Sequence, residues 1–224
     1  MPRADGELAD GIRAAGAEVV AHPVQRKVLL RPGHGLDGAD WVTLTSATTV
    51  DALEQLGIGI PATAKVAAVG AATAAAALRR GIAVDLVPEA EASAAALVAA
   101  FPRGTGLVIA PGSALAKPTL AEGLTAKGWR VETLPVYTAV PLRELPERLG
   151  DEWRGGHFDV VVVTSGSVGR AVGELLGYRP GTRVVALGPP SAAALRELGV
   201  EPHAVALTQD ASGVVDAIAS LGDS

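Results

Sequence analysis

An internal repeat constrains the fold of this chain more than any other feature. The segment KVAAVGAATAAAALRRG at residues 65–81 returns as RVVALGPPSAAALRELG at residues 183–199, 118 positions later and without a gap. Each copy is a short apolar run that ends at a glycine and continues into an alanine-rich segment of helical character. A strand followed directly by a helix is the building unit of parallel α/β sheets. The repeat therefore predicts two similar α/β domains.

Two further pairs of segments extend the repeat. WVTLTSATTVDALEQLG at 41–57 corresponds to VVVVTSGSVGRAVGELLG at 160–177, and LADGIRAAGAEVVAHPV at 8–24 corresponds to LAEGLTAKGWRVETLPV at 120–136. The apolar strands at 41 and 160 do not alternate strictly with polar residues, as expected where helices cover both faces of a parallel sheet. We therefore expect two flavodoxin-like domains, each with a parallel sheet between helices.

The order of the segments predicts that one domain is inserted into the other. Residues 39–137 hold one complete unit, whose predicted strands are WVTLTS, KVAAVG, AVDLVP, GLVIAP and RVETLPVY. Residues 1–26 and 143–224 form the split domain, with strands DVVVVTS, RVVALG and HAVAL and a last helix and strand within residues 7–24. Residues 27–38 and 138–142 are then a two-segment linker. Such a linker predicts a hinge, with a ligand cleft between the domains.

The repeat also predicts that the split domain lacks a strand. The counterpart of GLVIAP at 106–111 would fall before Met1. Either translation starts upstream of this methionine, or the domain has lost a strand and leaves one edge of its sheet open. We favour the upstream start, because a lost strand removes core packing and exposes the hydrogen-bonding groups of the sheet.

The composition limits the classes of function. With 224 residues, 49% hydrophobic and 19% charged, the chain is expected to fold into a globular protein. Its net charge of -5 argues against a nucleic-acid partner. The sequence has no cysteine, four scattered histidines, and neither a signal peptide nor a membrane-spanning apolar run. We therefore expect a cytoplasmic protein with no membrane partner.

Hydroxyl residues occur where the predicted strands lead into helices. Helix starts at the carboxyl edge of a parallel sheet present unpaired N–H groups that bind anions. Several such starts together would suit an extended ligand with many carboxylates. The alternative is that the hydroxyl residues are ordinary helix caps. The candidate binding residues are Ser46, Thr73, Ser165 and Ser191, with Ser113 marking a fifth helix start.

Tyr137 is the candidate for chemistry. It ends the last strand of the complete unit, next to the linker, and a phenol can donate a proton or a hydrogen bond to a leaving oxygen at neutral pH. The alternative is an aromatic residue that only packs the linker.

Other motifs are weaker. GHGLDG at 33–38 precedes a strand instead of a helix, Lys117 lacks the P-loop spacing, and no serine lies in a G-x-S-x-G turn.

The segments WVTLTSATTV, VAAVGAATAAAL, LAEGLTAKGWRVETLPVY, VVVVTSGSV and VALGPPSAAAL, in this order, resemble the uroporphyrinogen-III synthase family over essentially the whole chain. The order of the segments and the VY at the linker carry the resemblance. It implies closure of hydroxymethylbilane, a linear tetrapyrrole with eight carboxylates, to uroporphyrinogen III with loss of water and inversion of ring D. Loss of the hydroxyl gives an azafulvene, and the inverted ring forms through a spiro intermediate, without metal or cofactor.

The resemblance also implies roles for individual residues. The family's tyrosine falls on Tyr137, as hydrogen-bond donor or general acid to the leaving hydroxyl. The carboxylates of the substrate would be bound at Thr73, Ser191, Ser46, Ser165 and Ser167. Two features depart from the family pattern. The family usually has an initial strand followed by Arg-Pro, whereas here the strand is absent and Met1 stands in the place of the arginine. Gly166 replaces a common proline in the second serine turn.

The resemblance further implies a monomer that receives its substrate from hydroxymethylbilane synthase. A hypothesis from another class stays open at this point. A two-domain α/β protein with anion-binding helix starts could be a non-catalytic binding protein or sensor for a polycarboxylate ligand.

Overall fold

A computed structural model describes residues 6–89 and 92–222. In chain order its elements are α1 (Glu7–Ala14), β1 (Gln25–Leu29), β2 (Trp41–Leu44), α2 (Ala47–Leu56), β3 (Lys65–Ala68), α3 (Ala71–Leu78), α4 (Ala94–Ala100), β4 (Leu107–Ser113), α5 (Thr119–Ala126), β5 (Arg130–Pro141), α6 (Glu147–Arg154), β6 (Val160–Val163), α7 (Gly166–Leu175), β7 (Arg183–Ala186), α8 (Pro189–Glu197), β8 (Ala204–Val205) and α9 (Ala211–Ala219).

The chain divides into two compact units. One, the inserted unit, is continuous from Lys27 to Thr138, and the other, the split unit, combines the residues up to Arg26 with those from Ala139 onward. The boundaries at 39–137 and 143–224 that the sequence predicts for the domains stay predictions. The predicted linkers 27–38 and 138–142 are extended in part, because residues 27–29 belong to β1 and residues 138–141 to β5, and these two strands are neighbours in the sheet. Their backbone bonds are Leu30 N–H to Val136 O and Leu142 N–H to Val24 O, at 2.9 and 3.0 Å.

The inserted unit is built on a sheet of order β1-β5-β4-β2-β3. β2 lies between β3 and β4 and pairs in parallel with both, while β4 pairs in parallel with β5. All four residues of β2 are buried. Val42 packs on one face with Leu53 of α2, and Trp41 packs on the other with Leu124 of α5. Helices therefore cover both faces of a parallel sheet, and the predicted α/β class is confirmed.

The split unit repeats this plan with a sheet of order β6-β7-β8, in which all pairs are parallel. α1 packs against α9 on one face, where Ile12 and Val214 share a cluster with Val185 of β7. α7 packs against α8 on the other face, where Leu195 contacts the cluster around Val163. Among the described residues β6 has a single strand neighbour, β7, whereas its repeat counterpart β2 has two.

The strand predicted within residues 17–24 does not form. These residues have no regular secondary structure, although the turns after α1 and α5 are alike, with a φ of 95° at Gly16 and 100° at Gly128. In the inserted unit the matching residues 130–136 form a strand because they pair with β4. The described sheet of the split unit contains no counterpart of β4, so residues 17–24 have no neighbouring strand with which to pair.

The strand predicted at AVDLVP is also wrong, because only one bridge forms there, between Ala67 and Leu86. The side chain of Asp85 accepts the Val66 N–H at 2.7 Å and so takes the place of a backbone carbonyl. His203, 118 positions later, holds the Val184 N–H in the same way at 3.0 Å through Nδ1. The strand predicted at HAVAL is correspondingly short and covers β8 alone. Across residues 6–89 and 92–222 no helix is long and apolar enough to cross a membrane.

Candidate functional site

In the inserted unit, hydroxyl groups at the carboxyl ends of β2 and β4 lie beside Tyr137 of β5, a strand that continues to Pro141 instead of ending at Tyr137 as the sequence predicted. Ser46 follows β2 and caps α2, and its Oγ lies 3.3 Å from the phenol oxygen of Tyr137 in β5. Ser113 ends β4 and lies beside Tyr137 across the parallel pair, where the Ala114 N–H donates to the Tyr137 carbonyl at 2.8 Å. Three residues that the sequence selected separately therefore belong to one cluster at one edge of the sheet.

The Ser46 hydroxyl has three contacts. It accepts the Thr49 N–H at 3.1 Å, which is the ordinary hydrogen bond of a helix cap. Its oxygen also lies 3.0 Å from the hydroxyl oxygen of Thr49 and 3.3 Å from that of Tyr137. Ser46 is thus a cap, as the alternative hypothesis held, and also the contact that holds the phenol. Thr49 was not selected from the sequence, although a threonine three positions after a serine cap is a signal that could have found it.

Ser165 occupies the corresponding place in the split unit. It caps α7 by accepting the Val168 N–H at 3.3 Å, and its hydroxyl lies 3.1 Å from that of Ser167. Val168 stands where the inserted unit has Thr49, 119 positions earlier. The two caps therefore have different surroundings, and the described residues place no tyrosine hydroxyl in hydrogen-bonding contact with Ser165.

Thr73 and Ser191 lie in the first turns of α3 and α8. The caps of these helices are Gly70 and Gly188, so neither hydroxyl residue is itself a cap. Both are buried, with 5% of Thr73 and 6% of Ser191 exposed. Among the described residues neither hydroxyl has a hydrogen-bond partner. A hydroxyl without a protein partner at the start of a helix is available to an anionic ligand.

The two helix starts differ in the backbone donors that they offer. In α3 the first helical hydrogen bond is the Ala74 N–H to the Gly70 carbonyl, so the three preceding N–H groups are free within the helix. In α8 Pro189 and Pro190 have no N–H, which leaves the one of Ser191. The start of α3 is therefore the stronger backbone site for an anion.

The prediction that Ser113 marks a helix start is wrong. Ser113 is the last residue of β4, and α5 begins only at Thr119. The Ser113 hydroxyl accepts the Leu115 N–H at 3.1 Å and so closes a local turn. Its place beside Tyr137 comes from the strand register, not from a helix. Lys117 is exposed in the same connection.

The second tyrosine has a structural environment. The hydroxyl of Tyr178 donates to the Gly169 carbonyl at 2.8 Å, and burial raises the pKa of this phenol to about 12. Its proton is committed to the backbone of α7. In the described part of the chain, no three histidine or acidic side chains group together in a way that could hold a metal ion.

These features define a class: an α/β protein of two similar units, in which hydroxyl groups and helix starts gather at the carboxyl ends of parallel strands. A family model described as Uroporphyrinogen-III synthase HemD matches residues 6–216. The chain belongs to the uroporphyrinogen-III synthase family. It is therefore a cyclising lyase of tetrapyrrole biosynthesis, and the alternative of a non-catalytic binding protein is not supported.

Two solved structures share the fold. One is a mutant uroporphyrinogen III synthase from the extremely thermophilic bacterium Thermus thermophilus, which is 21% identical, with 100% of this chain and 97% of that chain covered and a TM-score of 0.64. Another is uroporphyrinogen-III synthetase from Helicobacter pylori 26695, which is 14% identical over 88% of this chain and 91% of that chain, with a TM-score of 0.66. At these identities the likeness establishes the α/β fold.

Proposed function

We propose that this enzyme closes hydroxymethylbilane to uroporphyrinogen III with Tyr137 as the donor to the departing hydroxyl. The observation that carries the proposal is the contact of 3.3 Å between the hydroxyls of Tyr137 and Ser46 at the carboxyl end of the sheet. Phenols donate hydrogen bonds while uncharged at neutral pH. A donor that meets the oxygen as the carbon–oxygen bond breaks lowers the barrier to loss of water.

The pyrrole rings themselves push out the hydroxyl and leave an azafulvene, so the enzyme needs no strong acid. Its larger task is to hold the linear chain in the conformation that leads through the spiro intermediate to inversion of ring D. Closure without such control gives the uninverted isomer. Positioning of the substrate is therefore the main contribution of the protein.

The helix starts supply that positioning by binding the carboxylates of the substrate. In the inserted unit the free N–H groups of α3 and the Thr73 hydroxyl form the strongest candidate site, and Ser46 and Ser113 lie by the tyrosine. In the split unit the candidates are the hydroxyls of Ser165, Ser167 and Ser191. Hydrogen bonds from backbone N–H groups at helix starts suit carboxylates. Because the net charge of the chain is -5, binding of an anionic substrate depends on such local sites and not on the overall charge.

The setting of the reaction is part of the proposal. We expect the enzyme to act as a cytoplasmic monomer that receives hydroxymethylbilane from hydroxymethylbilane synthase, and its product to enter heme and related tetrapyrrole synthesis. Size-exclusion chromatography with light scattering tests the monomer. Transfer is tested by adding hydroxymethylbilane synthase to the enzyme at increasing concentration. The measurement is whether isomer I, which forms from free hydroxymethylbilane, decreases.

The direct test is the isomer ratio of uroporphyrinogen formed from hydroxymethylbilane. With the enzyme present isomer III should dominate, whereas buffer alone should give isomer I. Isomer I in both reactions, from a protein that is folded by circular dichroism, would overturn the proposed function.

A further inference from the structure

We propose that Thr49 is a positioning residue that directs the Ser46 hydroxyl toward Tyr137 and so leaves the phenol proton free for the substrate. The inference rests on the proposed role of Tyr137. It concerns a residue that contacts neither the substrate nor the leaving group and acts through Ser46.

The hydrogen-bonding capacity of Ser46 permits two arrangements. A hydroxyl donates one hydrogen and accepts two, and the Thr49 N–H already occupies one acceptor site of Ser46. In the first arrangement the Thr49 hydroxyl donates to Ser46, and Ser46 donates to Tyr137, so the phenol hydrogen points elsewhere. In the second, Tyr137 donates to Ser46, and Ser46 donates to Thr49. Only the first leaves the phenol able to donate to a departing hydroxyl.

Burial of Thr49 selects the first arrangement. Thr49 has 0% of its surface exposed, and among the described residues the Ser46 oxygen, at 3.0 Å, is the only partner of its hydroxyl. The second arrangement would leave the hydroxyl hydrogen of Thr49 buried without an acceptor, which is unfavourable. In the first, Thr49 donates to Ser46, and the chain Thr49–Ser46–Tyr137 runs in one direction. Hydrogen bonds aligned in this way also strengthen one another.

The repeat supplies an internal comparison. Ser165, the counterpart of Ser46, caps α7 with Val168 in the place of Thr49. A helix start of this kind therefore forms with valine at the third position, and valine is close in shape to threonine. The hydroxyl of Thr49 is not required for the cap itself.

The substitution Thr49→Val in the full chain tests the inference. Without the Thr49 hydroxyl, the Ser46 hydroxyl can either donate to Tyr137 or accept from it, and we expect kcat for isomer III formation to fall by about three- to tenfold. KM should stay unchanged, because no contact with the substrate is lost. The variant Thr49→Ser keeps the hydroxyl and should restore kcat. Val168→Thr, the matched change in the split unit, should leave kcat as it is.

A double-mutant cycle separates this role from a structural one. In the Tyr137→Phe background, Thr49→Val should have no further effect on kcat, since there is no phenol proton to free. An equal loss in both backgrounds, or full turnover of Thr49→Val alone, would overturn the inference. If Thr49→Val does not fold, Thr49→Ala takes its place in the same cycle. Failure of the proposed function is a different result, because the unsubstituted enzyme would then yield no isomer III.

Discussion

The hydroxyl oxygens of Ser46 and Tyr137 lie 3.3 Å apart, although 91 positions separate the two residues in the chain. Ser46 follows β2, Tyr137 lies in β5, and β4 runs between these strands in the sheet. The contact therefore depends on the strand order of the inserted unit. It joins a helix cap, which is fixed by the start of α2, to the phenol that we propose as the donor in loss of water.

Replacement of Tyr137 by phenylalanine tests this donor. Tyr137→Phe removes the hydroxyl and keeps the ring, so we expect kcat for isomer III to fall on the order of tenfold or more while the fold is retained. The matched control is Tyr178→Phe, whose hydroxyl donates to the Gly169 carbonyl. It should lower stability by about 1 kcal/mol and leave kcat unchanged. Full turnover of Tyr137→Phe would remove Tyr137 from the mechanism.

The buried hydroxyls of the α3 and α8 starts should contribute to substrate affinity. We expect Thr73→Val and Ser191→Ala to raise KM by up to about tenfold each, because each removes one donor to a carboxylate. We expect the larger effect from Thr73, because the free N–H groups of α3 would orient the proposed carboxylate toward its hydroxyl. Steady-state kinetics with hydroxymethylbilane measure the change. Unaltered KM in both variants would show that the hydroxyls of Thr73 and Ser191 do not contribute to substrate binding.

The sequence predicted the repeat and the α/β class because both depend on apolar runs and glycines that recur at fixed spacing. It could not predict that AVDLVP forms only one bridge, because the Asp85 side chain accepts the Val66 N–H that a backbone carbonyl of a longer strand would accept. The candidate site, too, could be predicted only in part from the sequence. Ser46 and Tyr137 were selected for their positions, whereas Thr49 was missed, because its spacing from Ser46 indicates a possible contact that only the 3.0 Å between the two hydroxyl oxygens demonstrates. The helix expected at Ser113 failed because β4 continues through that residue.

The glycine at the start of α3 is required by close packing. Gly70 has an extended backbone with φ of -177°, which any residue adopts, but an added Cβ would lie 2.6 Å from the Cβ of Ala92. We expect Gly70→Ala to destabilise the protein by about 1–3 kcal/mol. Gly59→Ala is the control, since an added Cβ there meets nothing within 4 Å. Urea unfolding compares the two, and equal stability of both variants would contradict the packing argument.

The cap of α9 should make stability depend on pH. Asp210 accepts hydrogen bonds from the Gly213 N–H and the Thr208 hydroxyl, each at 2.9 Å. Both bonds favour the charged carboxylate and lower its pKa below the ordinary value of 3.8, and the bond from Gly213 has the larger effect. Because the pKa is lower in the folded state, the charge stabilises the fold above pH about 4 and this stabilisation is lost as the pH falls through the folded pKa.

Asp210→Asn keeps an acceptor oxygen and removes the charge. We therefore expect the difference in unfolding midpoint between the unsubstituted protein and the variant to be largest near neutral pH. The difference should shrink as the pH is lowered below about 4. Urea titrations between neutral pH and about pH 3 measure it, and a difference that stays constant over this range would contradict a role of the charge.

The two corresponding parallel strands of the repeat, β2 and β6, should differ in amide protection. β2 pairs with β3 and β4, whereas β6 pairs with β7 alone among the described residues. Three of the four residues of β6 are only partly buried, against none in β2. Since successive N–H groups of a strand point to opposite sides, we expect the β6 amides that point away from β7 to exchange at least about tenfold faster than those of β2.

Hydrogen exchange followed by NMR measures this difference residue by residue. The β6 amides that point toward β7 are the internal control, because they share the same backbone and the same core and should stay protected. Uniformly slow exchange along β6 would mean that its second edge is hydrogen-bonded in solution. Fast exchange of alternate amides would instead show that the β6 edge of the sheet is open. The packing of helices such as α1 and α9 would then contribute more to the stability of the split unit.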